Sequence, residues 1–299
     1  MSARHLSPAL AFAVAAAGIG LFSIMDAFMK SLVLGLGVYN ALVWRTGLST
    51  LFGGAAWIAS DRARPTPRAL RLHGLRGLIT AAMALLFFWG LARVPMAQAI
   101  SLAYIAPLLA LLLGALFLKE RVGRRIVVAS FVAILGVGVI LAGQQRAALA
   151  PGAFEGAVAI LVSAVLYAVN LVVARVQAQL AQPAEIAFLQ SAIVTAILIC
   201  AAPWLAVLPP PGEWWKIAIA AALGTSSLFL LAWAYAHGET GYLATTEYTS
   251  FVYAAALGWL VFGERVQPTT LAGAAIIVGA CLYAARRRDI ARSPIEQAA

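Results

Sequence analysis

Arg45 and Glu247 interrupt long apolar stretches of this chain, and Asp26 stands just beyond the end of another. A charged side chain near the middle of a bilayer costs about 2.5–3.5 kcal/mol on insertion scales, so it faces protein or water and usually has a partner. Asp26 and Lys30 stand at the far end of the first apolar stretch, and Arg45 lies about two turns into the second from the same side. That spacing predicts an Asp26–Arg45 ion pair, or a gate or substrate contact built from the same two groups. Glu247 lies about 9 Å into the ninth stretch at roughly 1.5 Å per residue. Coupling to a proton or substrate suits it, and so does exposure to an aqueous vestibule.

Polar and aromatic residues enlarge the set. Ser163, Tyr167 and Asn170 are spaced four and three residues apart and so share one helix face. Ser101 and Tyr104 are three apart, and Met83, Trp89, Gln190 and Tyr248 stand in other apolar stretches. Lining a common lumen, they would hold a flat, apolar or aromatic small molecule by stacking and edge contacts. Ordinary packing or an interfacial belt accounts equally for any single aromatic, and Trp214 and Trp215 read as belt residues.

Other chemistries lack their residues. No Gly-x-x-x-x-Gly-Lys-Ser/Thr loop is present, so neither a built-in ATPase nor an ATPase partner is implied. His5, His73 and His237 fall outside the apolar cores, are not spaced as metal ligands and read as solvated loop residues. No Ser-His-Asp arrangement or paired inward carboxylate is found, so no catalytic residue, metal or cofactor is expected. Cys200 and Cys281 lie in different apolar stretches and read as buried free thiols rather than a disulfide.

The elements that must position these residues are ten apolar runs. They cover Pro8–Met25, Tyr39–Ile58, Gly77–Ala92, Val94–Leu118, Ile126–Gln145, Gly156–Ala174, Ile186–Gly212, Ile217–Ala236, Thr240–Gly263 and Val266–Ala285. Most approach the roughly 20 residues that an apolar helix needs to cross a bilayer. Only 11% of the residues are charged, against about 25% in an ordinary soluble protein. The net charge of +10 would suggest nucleic acid in a soluble chain. Here, with the N-terminus placed inside, fifteen Lys and Arg fall on the inner side and five on the outer. This asymmetry predicts cytoplasmic N- and C-termini, a basic cytoplasmic tail over 286–299 and no nucleic-acid role. The first run is too long for a signal-peptide core and reads as a retained span.

The chain is also written twice. At an offset of 144 residues Glu120-Arg121-Val122 falls on Glu264-Arg265-Val266, Trp89 on Trp233, Tyr104 on Tyr248 and Gly114 on Gly258. Arg45 falls on Gln190 one residue later. Each copy, 8–145 and 152–285, holds five runs. An odd number makes the second copy enter the membrane from the opposite side, an inverted repeat of the kind secondary transporters use around a midplane site. Small residues in the fifth and tenth runs suit close helix packing. Pro107 interrupts the fourth run and marks a hinge.

Ten spans in two halves, Trp44-Arg45, the Ala99–Tyr104 segment with Pro107, and a Glu-Arg-Val turn after the fourth and ninth runs resemble the EamA group of the drug/metabolite transporter superfamily. The resemblance covers roughly residues 10 to 285. It implies an all-α integral membrane fold of ten transmembrane helices in two inverted five-helix repeats, in the bacterial inner membrane. It further implies a secondary transporter exporting small metabolites by alternating access, amino acids and aromatic ones in particular. The fifth and tenth helices would lie outside the cavity. A drug, purine or sugar-phosphate carrier is the alternative, although a sugar phosphate asks for several inward cations and only Arg45 is on offer. A membrane enzyme or a non-transporting scaffold fits less well.

Overall fold

The computed structural model describes residues 8–59, 65–118, 124–146, 151–177, 180–237 and 243–285. Its helices are α1 (Pro8–Leu36), α2 (Val38–Ala59), α3 (Pro67–Leu91), α4 (Met96–Ala103), α5 (Ile105–Leu118), α6 (Arg124–Arg146), α7 (Ala153–Gln177), α8 (Pro183–Ile199), α9 (Ala202–Leu205), α10 (Trp214–His237), α11 (Thr249–Phe262) and α12 (Pro268–Ala285). A 3-10 turn, Ala244–Tyr248, leads into α11, and no strand occurs among the described residues. Lipid offers no hydrogen bonds to a backbone, so a helix that satisfies its own groups is the form such apolar runs must take. Among the described residues, six helical stretches are long and apolar enough to cross a membrane: α1, α3, α4 with α5, α6, α7 and α10 with the turn before it. The apolar helices α8 and α12 are shorter.

Local residues set the ends. Gly37, at φ 79°, ends α1 and lets the chain reverse into α2. Thr66 caps α3 by accepting from the Ala69 N–H, with Pro67 opening the helix. Gly263, at φ 66°, ends α11 in a Schellman arrangement: its N–H reaches the Trp259 carbonyl, and that of Glu264 reaches Gly258.

Several boundaries differ from expectation. The first run continues past Met25 to Leu36, so Asp26 and Lys30 lie within α1 and are buried. The seventh stops at Ile199, because Pro203 and then Pro209, Pro210 and Pro211 cannot prolong a helix. Cys200, expected buried, is exposed at that end; Cys281 is buried, and both are free. The fourth run breaks at Tyr104, where Pro107 has no N–H to offer the Ala103 carbonyl. The tail over 286–299 and His5 lie outside the described residues.

Helix pairing follows a two-fold pattern. α1 packs on α10 as α7 packs on α3, and α10 touches α2 as α3 touches α8. α6 pairs with α12 and α2 with α8. One serine bond stitches each of the first two pairs: Ser163 donates to the Met83 carbonyl and Ser227 to that of Gly18, each at 2.8 Å.

α6 and α12 meet where Gly136 and Gly273 bring the backbones together. A Cβ on Gly136 would stand 2.9 Å from the Gly273 carbonyl oxygen and 2.7 Å from Ile277, whereas one on Gly138 would meet nothing within 4 Å. Gly136→Ala is therefore expected to destabilise the detergent-solubilised protein by about 1–3 kcal/mol through overpacking. Gly138→Ala should be neutral or slightly stabilising. Paired thermal unfolding curves check the difference.

Candidate functional site

A cavity of about 410 Å³ lies among α1, α2, α3, α7, α8 and α10, closed on one side by the Tyr104 break and the turn before α11. α1 supplies Phe22, Ser23 and Asp26; α2 supplies Arg45, Thr46 and Ser49; α3 supplies Thr80, Met83, Phe87 and Phe88. Tyr104 and Pro107 enter from the fourth run, Ser163 and Tyr167 from α7, Gln190 and Ser191 from α8, Gly224 and Thr225 from α10, and Glu247 and Ser250 from the ninth run. Neither α6 nor α12 contributes. A smaller hollow of about 250 Å³ on the α6–α12 face is lined by small and aliphatic residues and by Tyr283.

Of the residues picked out by type and spacing, Asp26, Arg45, Met83, Tyr104, Ser163, Tyr167, Gln190 and Glu247 line this one cavity. Four lie elsewhere. Trp89 is covered by Arg93, whose guanidinium stands 3.6 Å from the ring centre. Ser101 is fully buried and donates to the Ala97 carbonyl at 2.7 Å. Asn170 accepts from Arg76 at 3.0 Å. Tyr248 packs edge-on against Tyr104, ring centres 5.4 Å apart.

The expected Asp26–Arg45 ion pair is not formed among the described residues. Both groups border the cavity without closing on each other: Asp26 Oδ1 and Arg45 Nε are buried and without a hydrogen-bond partner, as is Gln190 Oε1. Arg45 lies 5.9 Å from the Phe88 ring centre. Buried polar atoms are ordinarily satisfied; here two acceptors, Asp26 Oδ1 and Gln190 Oε1, and one cationic donor, Arg45 Nε, lack a partner among the described residues around one aromatic-walled space. Tyr104 holds the opposite wall, sharing a 2.8 Å hydrogen bond with Ser250. The Tyr235 hydroxyl donates to Glu247 at 3.3 Å.

Lys30, expected near the outer end of a span, is buried in a different pairing. Its Nζ stands 2.5 Å from Glu264 Oε1 and donates to the Val94 carbonyl at 2.6 Å. Glu264 Oε2 accepts from the Met96 N–H at 2.7 Å, satisfying a first-turn donor of α4. The second Glu-Arg-Val turn thus ties α1 and the start of α4 to the end of α11. The corresponding Glu120 lies outside the described residues.

His73, read as a solvated loop residue, is also corrected: it is wholly buried in α3 and bonded to Glu185 at 3.0 Å. Extending α3 backward from Gly77 to Pro67 puts Ala69, His73, Gly77 and Ala81 on one buried face, four residues apart. That spacing is the signal in the sequence that points to it.

Known proteins resemble this chain in sequence and in fold. Residues 8–142 and 154–286 each match the EamA-like transporter family. The chain is 29% identical over 274 residues, 89% of its length and 93% of the other, to the pseudopaline exporter CntI of Pseudomonas aeruginosa. It is 27% identical over 237 residues, 75% of its length and 81% of the other, to a riboflavin transporter of Brucella anthropi. A crystal structure covering 94% of this chain and all of its own shares the fold at TM-score 0.60 and 23% identity.

Proposed function

The chain belongs to the EamA-like transporter family, and we propose that it exports small zwitterionic metabolites, amino acids with aromatic side chains foremost, from the bacterial cytoplasm. The observation that carries this reading is that Arg45 and Asp26 both line one aromatic-walled cavity and are not bonded to each other. Arg45 would take a carboxylate, for which its planar donors are suited. Asp26 and Gln190 Oε1 would accept from an ammonium, and Phe87, Phe88, Tyr104 and Tyr167 would flank a flat side chain. The relatives named as a pseudopaline exporter and a riboflavin transporter support small-molecule transport in general.

In this reading ten spans cross the inner membrane: α1, α2, α3, α4 with α5, α6, α7, α8, α10, the 3-10 turn with α11, and α12. The repeats are inverted, both termini are cytoplasmic, and the halves rock about the cavity. The Lys30–Glu264 tie closes one end. A second reading, a flat heterocycle without an ammonium, is favoured by the aromatic walls and by the riboflavin-transporting relative. It leaves Asp26 without a partner.

A ligand panel separates the two by thermal shift of the purified protein. Phenylalanine should stabilise it, while phenylalaninamide and 3-phenylpropanoate, each missing one charge, should not. A shift with riboflavin alone would replace the first reading with the second. Tyr104→Ala and Tyr167→Ala are each expected to raise the apparent KM for an aromatic substrate by about 2–10-fold, the worth of one aromatic contact at about 0.5–1.5 kcal/mol. Concentration-dependent uptake into vesicles checks this.

A further inference from the structure

A chain of buried polar side chains runs from the Pro67 end of α3 to the cavity wall, joining α3 to α7 and α8. Glu185 bonds His73 Nε2 at 3.0 Å, and His73 Nδ1 bonds Gln177 Nε2 at 2.6 Å. Gln177 Oε1 accepts from Arg76 at 2.5 Å, and Arg76 Nε donates to Asn170 Oδ1 at 3.0 Å. Thr80 reaches Asn170 at 3.5 Å and accepts from Gln190. Thr80 and Gln190 line the cavity. His73 and Gln177 are wholly buried, and Glu185 and Asn170 are each 4% exposed.

Donor and acceptor roles along this chain are fixed. A guanidinium only donates, so Gln177 must turn its carbonyl oxygen to Arg76 and its NH₂ to His73. His73 Nδ1 must then accept, which leaves the ring's single proton on Nε2, pointing at the Glu185 carboxylate. His73 is therefore neutral while the chain is intact. A second proton has to enter at Nδ1, where it would face the N–H of Gln177. Gln177 cannot flip to relieve this without aiming its own NH₂ at Arg76. A doubly protonated His73 and the Arg76–Gln177–His73 link exclude each other.

Resting on the transport reading above, we propose that His73 is the proton-binding site through which this protein couples substrate movement to a proton gradient. Protonation strengthens the pairing of His73 with Glu185 and breaks its link to Gln177, loosening α7 from α3 at that end. At the other end Thr80 and Gln190 line the cavity, so a bound substrate meets the chain there. Proton and substrate thus act on one hydrogen-bonded chain, and each changes the affinity for the other by the same factor. The charged groups facing His73 are Glu185 from α8 and, through Gln177, Arg76 from α3; the described α7 side chains in the chain are uncharged. Arg68 and Arg71 on α3 point to the exposed surface.

The test uses the full chain and two readouts. In proteoliposomes, counterflow of phenylalanine at equal pH establishes transport alone, and a pH gradient is then imposed. Wild type should concentrate phenylalanine at least several-fold above its gradient-free level. In His73→Gln, which keeps a donor for Glu185 and an acceptor for Gln177 but takes up no proton, that ratio should fall to one. An unchanged ratio in the variant, or counterflow in wild type that ignores the gradient, overturns the proposal. Absence of counterflow counts against the transport reading instead. Independently of flux, spin labels at Leu70 and Leu180 should report a different separation in acidic than in alkaline buffer in otherwise wild-type protein. An identical separation at both pH values overturns the switch without relying on any His73 variant.

Discussion

Glu264→Gln is expected to lower the stability of the purified protein by about 3–5 kcal/mol, the usual consequence of removing one partner from a buried ion pair. The carboxylate neutralises buried Lys30 and accepts the Met96 N–H, so it serves helices from both ends of the sequence. Neutralising it leaves an uncompensated ammonium among Val94, Phe262 and the start of α4. The Lys30→Met, Glu264→Gln double variant should recover much of the loss, because paired removal of both charges avoids the stranded ion. A thermal double-mutant cycle checks both statements, and additive losses would show that the two residues act separately. Gly258 belongs to the same construction: a Cβ there would stand 2.6 Å from Glu264 Oε2.

Arg45→Met should act in the opposite sense. Arg45 Nε lacks a hydrogen-bond partner among the described residues, and removing an unsatisfied buried donor recovers its desolvation cost. Transport should suffer, since a hydrogen bond to a charged group contributes about 1.5–3 kcal/mol, or about 10–100-fold in apparent affinity. Arg45→Lys should fall between, because an ammonium keeps the charge but not the two-pronged geometry. The combination of greater thermal stability with weaker substrate affinity marks a binding group; a structural group would lose both together. Matched unfolding and concentration-dependent uptake measurements distinguish the cases.

The sequence carries the repeat and most of the cavity for a physical reason. Charges and hydroxyls inside apolar runs are costly in lipid, so their positions advertise an interior, and helical spacing sorts them by face. Asp26, Arg45, Tyr167 and Gln190 are legible on that ground. What pairs with what is not. Lys30 stands one helical turn from Asp26 yet takes an acid 234 residues away, a choice made by how α1 meets the end of α11. The anticipated partner of Arg45 is left open for the same reason. His73 escapes a reading that begins the apolar run at Gly77, one turn too late to include it. The break at Tyr104 is legible through Pro107; its counterpart before α11 has no proline and is carried by the 3-10 turn alone.

Counterflow of radiolabelled phenylalanine into liposomes holding the purified protein tests the central claim most directly. Saturable uptake above empty liposomes, competed by unlabelled tyrosine and tryptophan and weakened about 10–100-fold in apparent affinity by Arg45→Met, is the predicted result. Uptake no greater than that of empty liposomes, or uptake equal in wild type and Arg45→Met, would contradict it.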